Sequence, residues 1–417
     1  MSASERDATG TLPARTEWVE ESTRGETPAD PSWNYYSDTM RTWTATPDAQ
    51  VERQEQYGDA DPQNHFAGPE THELTVEYDL QEWLVDGSGD PQDAAGYAFL
   101  RDSNNRLYGT HTAVKRVEKG SGAGTAGNGR RIYTVAKGAT PDATLEFDPS
   151  DNLPVGVELT YVCEKIRMYV IDQPGTDETL TVSSTDDGDT TQTLTIESDD
   201  AATTEDVSLN GTTDVTTTES FSSIDAVELD SPAEGNVTVE DGDGNVLVEV
   251  KGANEYAEDD GDIDGDLGVP ALGGGSHASD IGSDYEHFIG DTVERPSGSA
   301  FSLQGTEAQI HEASLSVDNN IDEDPNYGGL QQDVTEGNRN IEFEADVGGP
   351  KPRFDSIMEH LTNTAHDIVW IPNPSGTRQL TLTDATITDA GEDTEETDQV
   401  RVVTSNTFEA LGLTITG

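Results

Sequence analysis

The chain has 417 residues, enough for two or three domains, with 84 acids against 22 bases and a formal charge of −62. Hydrophobic residues make up 32%, below the roughly 45–50% of an ordinary globular chain. Yet Val, Ile, Leu and Tyr recur at alternating spacing, which argues for folded strands rather than a disordered chain. So few bases exclude a protein that wraps nucleic acid, because neutralising phosphates needs clusters of Lys and Arg.

An acid excess spread through strands, not blocked into tails, fits a folded protein of a high-salt environment. At 1 M salt the Debye length is about 3 Å, so surface carboxylates hardly repel one another and serve to hold water. The single cysteine, Cys163, allows no intramolecular disulfide. No apolar run approaches the roughly 18–20 residues that cross a membrane. The opening MSASERDATG lacks the basic and apolar regions of a signal peptide, so the expectation is synthesis in the cytoplasm.

Residues 1–66 are rich in Ser, Thr, Pro and acids, with aromatics at Trp33, Tyr35, Tyr36 and Trp43. This reads as an N-terminal arm that packs its aromatics on a neighbour. From His72 the pattern changes: Leu74, Val76, Tyr78 and Leu80 alternate with Glu77 and Asp79, a half-buried strand. Pro91 to Gly96 starts a short turn or helix with Tyr97, Phe99 and Leu100 on its apolar side. Val114–Glu118, Arg131–Ala136 and Thr144–Phe147 read as three strands, with the Gly-rich loop 120–129 between the first two. Val155–Ile171 reads as one long strand, with a bulge after Glu164 moving the apolar set to Ile166, Met168 and Val170.

After Gln173-Pro174-Gly175 the composition shifts. Residues 178–252 hold nineteen acids, one base (Lys251) and one aromatic (Phe221). Short strands recur at Leu180–Val182, Leu194–Ile196, Val207–Leu209, Val227–Leu229, Val237–Val239 and Val246–Val250, separated by Gly- or Asp-bearing turns. That is the pattern of a small β-sandwich. It resembles immunoglobulin-like modules in architecture only, since the Cys and Trp markers of antibody domains are missing.

Residues 253–300 read as a long acidic, Gly-rich loop. Within it Asp260, Asp262, Asp264 and Gly265 match the first half of a calcium-binding EF-hand loop, with Leu267 at the usual apolar position. The twelfth position, where a bidentate Glu belongs, is Ala271. A solvated acidic loop is the expectation. Further on, His311, Ala313, Leu315 and Val317 alternate with Ile310, Glu312, Ser314 and Ser316, a strand with one buried face that ends at Asp318-Asn319-Asn320. A paired strand Ile341–Val347 follows. Phe354, Ile357, Met358, Leu361 and Ala365 then sit at helical spacing, predicting an amphipathic helix over 353–365. Ile368–Ile371, Leu380–Ile387, Val400–Phe408 and Leu411–Ile415 close the chain as strands.

The run Ser314, Leu315, Ser316, Asp318, Asn319, Asn320, followed by Gly328-Gly329 and the strand Ile341–Val347, resembles the C-terminal half of the major tail tube protein of long-tailed phages and archaeal viruses. The resemblance covers about 60–175 and 300–417. It implies a mainly β fold: a tail-tube β-sandwich that forms barrels, with one flanking helix, here carrying the inserted immunoglobulin-like β-sandwich. The domains would be an arm (1–66), the tube domain in two halves (67–175 and 301–417), the insert (176–252) and the loop (253–300).

The function implied is structural. Six copies would close a ring, rings would stack into the tail of the virion, and viral DNA would pass through the bore without specific binding. Other partners implied are tape-measure, tail terminator and baseplate proteins, with assembly in the host cytoplasm. Edge chemistry favours closure, because a ring covers strand N–H and C=O groups that would otherwise template pairing. Acids and small polar residues would line the bore, since bases there would hold the passing phosphates. The rival reading is a virion- or cell-surface β-sandwich adhesion or decoration protein, which the sequons at Asn210 and Asn236 would suit.

An enzyme is not expected. The eight histidines, at 65, 72, 111, 277, 287, 311, 360 and 366, are scattered, and no H-E-x-x-H, G-x-S-x-G, Walker loop or Rossmann fingerprint occurs. Structural roles are expected for all eight and for Cys163, with no catalytic residue, cofactor or metal.

Overall fold

The computed structural model describes residues 14–28, 31–37, 40–54, 64–119, 129–147, 155–198, 203–253, 267–270, 272, 301–303, 306–325, 332–335, 337–348, 365–370, 378–395 and 401–417. The predicted helix over 353–365 lies outside the described residues but for its last position, and so do the acids of the EF-hand-like stretch and Gly328-Gly329.

The N-terminal half opens with β1 (Ala14–Glu20), β2 (Asn34–Tyr35), β3 (Met40–Gln54) and β4 (Asn64–Asp79). A single-turn helix α1 (Ala94–Phe99) follows, capped by Asp93, whose carboxylate accepts from Ala95 N at 2.8 Å. Then come β5 (His111–Lys119), β6 (Arg130–Phe147), β7 (Gly156–Cys163) and β8 (Lys165–Asp172). The described part of the segment expected as an arm thus joins the chain's own sheet. β1 pairs with β5 along its whole length, and Trp18 and Tyr36 are each only 2% exposed, in the main core. Sequence pattern misses this because β1 is short and its acids and bases are paired rather than exposed, as with Glu17 and Arg15.

The strands expected at 131–136 and 144–147 are one. β6 runs through Gly138, whose φ of +62° bends it without strain, so one strand serves two layers. Its first half pairs with β5 and β8, its second with β7 and later with β18. Conversely, the single strand expected over 155–171 is two, broken at Glu164. Val157, Leu159, Tyr161 and Cys163 are buried as predicted, and so is Ile166. Met168 and Val170 are exposed instead, because beyond Ile166 it is the odd-numbered Tyr169 and Ile171 that find a covering layer.

That covering layer is the insert. β9 (Thr181–Ser184), β10 (Thr193–Glu197), β11 (Thr204–Ser208), β12 (Val215–Thr216), β13 (Ala226–Leu229), β14 (Val237–Glu240), β15 (Val246–Val250) and β16 (Gly268–Val269) form two four-stranded sheets, β11-β10-β13-β16 and β12-β9-β14-β15. All six expected strands are present. β12 and β16 are additional, and β16 shows that the unit reaches past residue 252 into the stretch expected as loop. Gly268 (φ +93°) lies so close to the Val227 carbonyl that a Cβ would meet it at 2.2 Å, so only Gly fits there.

The second core is continuous across the border. Val114, Tyr133, Val135, Tyr169 and Ile171 from β5, β6 and β8 pack with Leu180, Ile196, Phe221, Val227 and Val239 of the insert. A polar clasp fixes the contact. Arg116 Nη1 donates to Asp225 at 2.6 Å, and Arg131 Nη1 donates to the Ile224 carbonyl at 2.6 Å. The Gln173 side-chain amide exchanges two hydrogen bonds with the Ile224 backbone, at 2.9 and 3.0 Å.

The C-terminal half supplies β17 (Phe301–Leu303), β18 (Thr306–Asp318), β19 (Asp322–Pro325), β20 (Gln332–Thr335), β21 (Asn340–Gly348), β22 (Ala365–Trp370), β23 (Gln379–Glu395), β24 (Arg401–Glu409) and β25 (Gly412–Thr416). β19 and β20 form a separate hairpin; the other seven join the N-terminal strands in one fifteen-stranded, antiparallel sheet that folds back on itself. One layer runs β4-β7-β6-β18-β21-β24. β22, β23 and β25 form the opposing layer, and Phe147 meets Trp370 edge-on at 4.5 Å between them.

Asp318-Asn319-Asn320 is the knot that ties this together. Asn319 is wholly buried: its N–H donates to Asp142 at 2.8 Å, its amide nitrogen to the Ala98 and Pro141 carbonyls at 3.2 Å, and its Oδ1 accepts from Arg101 at 2.8 Å. The residue at positive φ is its neighbour, Asn320 (+47°), as the turn requires. One side chain thereby fixes the end of β18 to α1 and to β6.

Candidate functional site: an acidic, hydroxyl-lined sheet face

The alternation of β4, β7, β6, β18, β21 and β24 sends one set of side chains into the core and the other out of the opposite face. The inward set includes Leu74, Leu159, Leu145, Leu315, Phe343 and Phe408, all buried. Register then dictates what the outer face presents. One row across the strands reads Glu77, Glu158, Thr144, Ser316, Glu342, Glu409. The next reads Asp79, Gly156, Glu146, Ser314, Glu344, Thr407. A third begins with Glu312, Asp346 and Ser405. Six adjacent strands therefore offer only carboxylates, hydroxyls and one glycine at these positions.

A cleft of about 470 Å³ lies on this face, lined by Arg41, Glu146, Glu312, Ser314, Glu344 and Asp346 among others. Arg41 is ion-paired to Asp79, so the base there is already spent on an acid. Thr42 donates to Glu77 at 2.7 Å. The carboxylates crowd one another: Glu158 titrates above its ordinary value through partial burial, then through repulsion by Glu77 and Glu146. Glu342 does so through partial burial, then through Glu344 and Glu409. Like charges set opposite each other on neighbouring strands are unfavourable, so this arrangement is maintained at some expense in stability.

None of the positions in these rows is a histidine, cysteine or lysine, so the rows hold no nucleophile–base pair of the Ser–His or Cys–His kind. What the face can do is repel polyanions and hold water and small cations loosely. Among the described residues, no group of three or more His, Cys, Asp or Glu side chains is arranged to hold a metal ion, and no helix is long and apolar enough to cross a membrane.

The singled-out residues fall elsewhere. Cys163, His72 and His111 are buried; the side chains of the other six histidines are outside the described set. His111 sits among Trp18, Tyr97 and Tyr161, with Nε2 lacking any hydrogen-bond partner and its pKa pushed by burial down to about 3. The two sequons differ. Asn210 is exposed, whereas the Asn236 amide donates to Glu249 and accepts from Gly252 N, both at 3.0 Å. Leu267 packs against the insert's core. No protein-family model and no curated protein matches this chain.

Proposed function

We propose that the chain is a structural subunit of a viral tail tube, whose acidic, hydroxyl-lined face forms the wall of the bore. The observation that carries this is the face itself: six hydrogen-bonded strands wide, backed by a full apolar core, and with the base at its edge, Arg41, ion-paired to Asp79. A wall that conducts DNA must not grip phosphates, and a carboxylate wall offers no counter-charge to hold them. In this reading rings of copies, six by family resemblance, stack into the conduit. The smaller sandwich, immunoglobulin-like in its two-sheet build, packs on β5, β6 and β8 beyond the bend at Gly138 and in this reading is an outer decoration.

Electron microscopy of the purified chain in molar salt tests the assembly, with rings expected at about six times the 44.7 kDa of one chain. The wall is tested by Ser314→Cys and, as an outer control, Asp243→Cys on an exposed turn of the insert. A maleimide too bulky for the bore should label position 314 in the free subunit but not in tubes, and position 243 in both. Equal labelling of 314 in tubes and in free subunits would refute the bore assignment.

The adhesion or decoration reading draws on one observation, the exposed sequon at Asn210. It predicts a monodisperse particle that never forms rings and that binds a host surface.

A further inference from the structure

The sheet β5-β6-β8 has a second face, turned away from the insert. Where it nears Ile166 it is closed by the main core through Ala113 and Ala136. Beyond that point it is open. Lys115 and Val117 of β5 lie beside Thr134 and Ile132 of β6, which lie beside Met168 and Val170 of β8. Met168 is 68% and Val170 43% exposed. Lys115 is half-buried and forms no ion pair or hydrogen bond among the described residues, in a chain with nearly four acids per base. A half-buried ammonium without a partner is costly, and no described residue of its own chain supplies one.

The molecule carries a matching feature. Leu411, in the turn between β24 and β25, is 86% exposed, the most exposed large apolar side chain among the described residues. Its N–H bonds to the Thr383 carbonyl at 3.2 Å, which sets it beside the exposed acids Asp384 and Asp367, themselves joined by a 3.4 Å backbone-to-carboxylate contact. Topology puts the two features on opposite flanks. β8 continues β7, next to β6 on one side, while the Leu411 turn follows β24, three strands away on the other. Both lie toward the same end of the sheet, where Asp142 neighbours the Asp318↔Asn340 pair. An apolar knob flanked by acids, three strands to one side of β6, and an apolar strip centred on β6 that carries Lys115 and reaches Met168 and Val170 on its other side form a heterologous pair of surfaces. Such a pair cannot meet within one chain so arranged, but it meets when copies stand side by side, and it closes a ring if the rotation allows.

We propose that the strip Lys115, Val117, Ile132, Thr134, Met168 and Val170 is the docking surface for a second copy of the chain, which seats Leu411 against Met168 and Val170 and brings Asp367 or Asp384 to Lys115. This names a lateral contact for the proposed ring and rests on that reading for its setting, while its own test is separate. The exposed positions allow cysteines without disturbing a core, and the native Cys163 is buried.

Met168→Cys/Leu411→Cys should, on mild oxidation in molar salt, shift the chain from 44.7 kDa to a ladder of its multiples, whereas each single variant should give at most a dimer. Lys115→Glu should reduce the laddering several-fold at moderate salt, and Lys115→Glu with Asp367→Lys should restore it. Rings or tubes that form without a ladder would overturn this contact and leave the tube reading standing. A ladder from particles that never form rings would support the contact and count against the tube. Monomers without a ladder would overturn both. Deleting residues 1–13 tests the other occupant: a large rise in the labelling rate of Met168→Cys would mean that the chain's own N-terminus covers the strip, and would refute the proposal.

Discussion

The Tyr133 hydroxyl donates to the Asp225 carboxylate at 2.8 Å, and with that bond a strand of the large sheet holds a loop of the inserted sandwich. Arg116 and Arg131 bring two guanidinium groups to the same acid. Removing one member of a buried charged cluster leaves the rest uncompensated, at a typical cost of about 3–5 kcal/mol. Asp225→Ala should therefore lower unfolding free energy by that order and release the insert first. Denaturant unfolding followed by near-ultraviolet dichroism checks the size, and limited proteolysis between residues 178 and 252 checks the order.

The same border bears on removing the insert. Excising 178–252 for a short Gly/Ser linker would bare Val114, Tyr133, Val135, Tyr169 and Ile171, and leave β16 without β13. The bare deletion should aggregate. Deletion combined with polar replacements at Tyr133, Tyr169 and Ile171 should stay dispersed and still assemble. Sedimentation of the two variants in molar salt distinguishes these outcomes.

Acid should destabilise the fold through His111. Burial holds its folded pKa at about 3 against an ordinary 6.5, so between those values the unfolded chain binds a proton that the folded chain refuses. Stability then falls as pH drops through that window, by up to about 1.4 kcal/mol per pH unit. Asp93 and Glu17 work the other way. Burial raises both to about 7, so they favour the folded state at low pH and lose that advantage as pH rises through 7. His111→Phe should flatten the acid limb of stability against pH, and Asp93→Asn the neutral limb. Unchanged slopes in either variant would contradict the assignment.

Salt should matter most where carboxylates face each other. Lowering salt from about 3 M to about 0.1 M lengthens the screening distance from under 3 Å to about 10 Å, which couples Glu342 to Glu344 and Glu409. The melting temperature of the wild type should fall steeply over this range. Glu342→Gln should recover part of the loss at low salt and change little at high salt, as read by thermal dichroism.

Asn319 is a structural keystone by the count of its bonds. Asn319→Leu keeps the volume and the backbone bond to Asp142 but strands Arg101 and the Ala98 and Pro141 carbonyls without their partner, with an expected cost of about 3 kcal/mol. A variant as stable as the wild type would mean that water or a neighbour satisfies those groups.

Much of this was legible in sequence because it is local. The alternation of Leu74, Val76, Tyr78 and Leu80, and of Ala313, Leu315 and Val317, marks buried faces directly, and the six short strands of the insert announce themselves between Gly- and Asp-bearing turns. What was not legible depends on partners far away in the chain. Whether Met168 or Tyr169 faces inward is decided by a sandwich that begins ten residues later. The continuity of β6 through Gly138 is decided by partners on both sides. The acidic face is invisible as a string, since Glu158, Thr144, Ser316 and Glu342 come from four strands and become neighbours only through register. Its one sequence signal is that the positions making up these rows lack Lys and Arg.

β6 belongs both to the acidic-faced layer and to the sheet β5-β6-β8, and the insert is clasped to its first half. A tug on the insert therefore reaches the acidic face along a single continuous strand, and the ladders of that strand with β5, β7, β8 and β18 share the load. The sandwich is in this sense a handle on the acidic face: a pull on it would register there as a change in the tilt of β6, with Gly138 as the pivot.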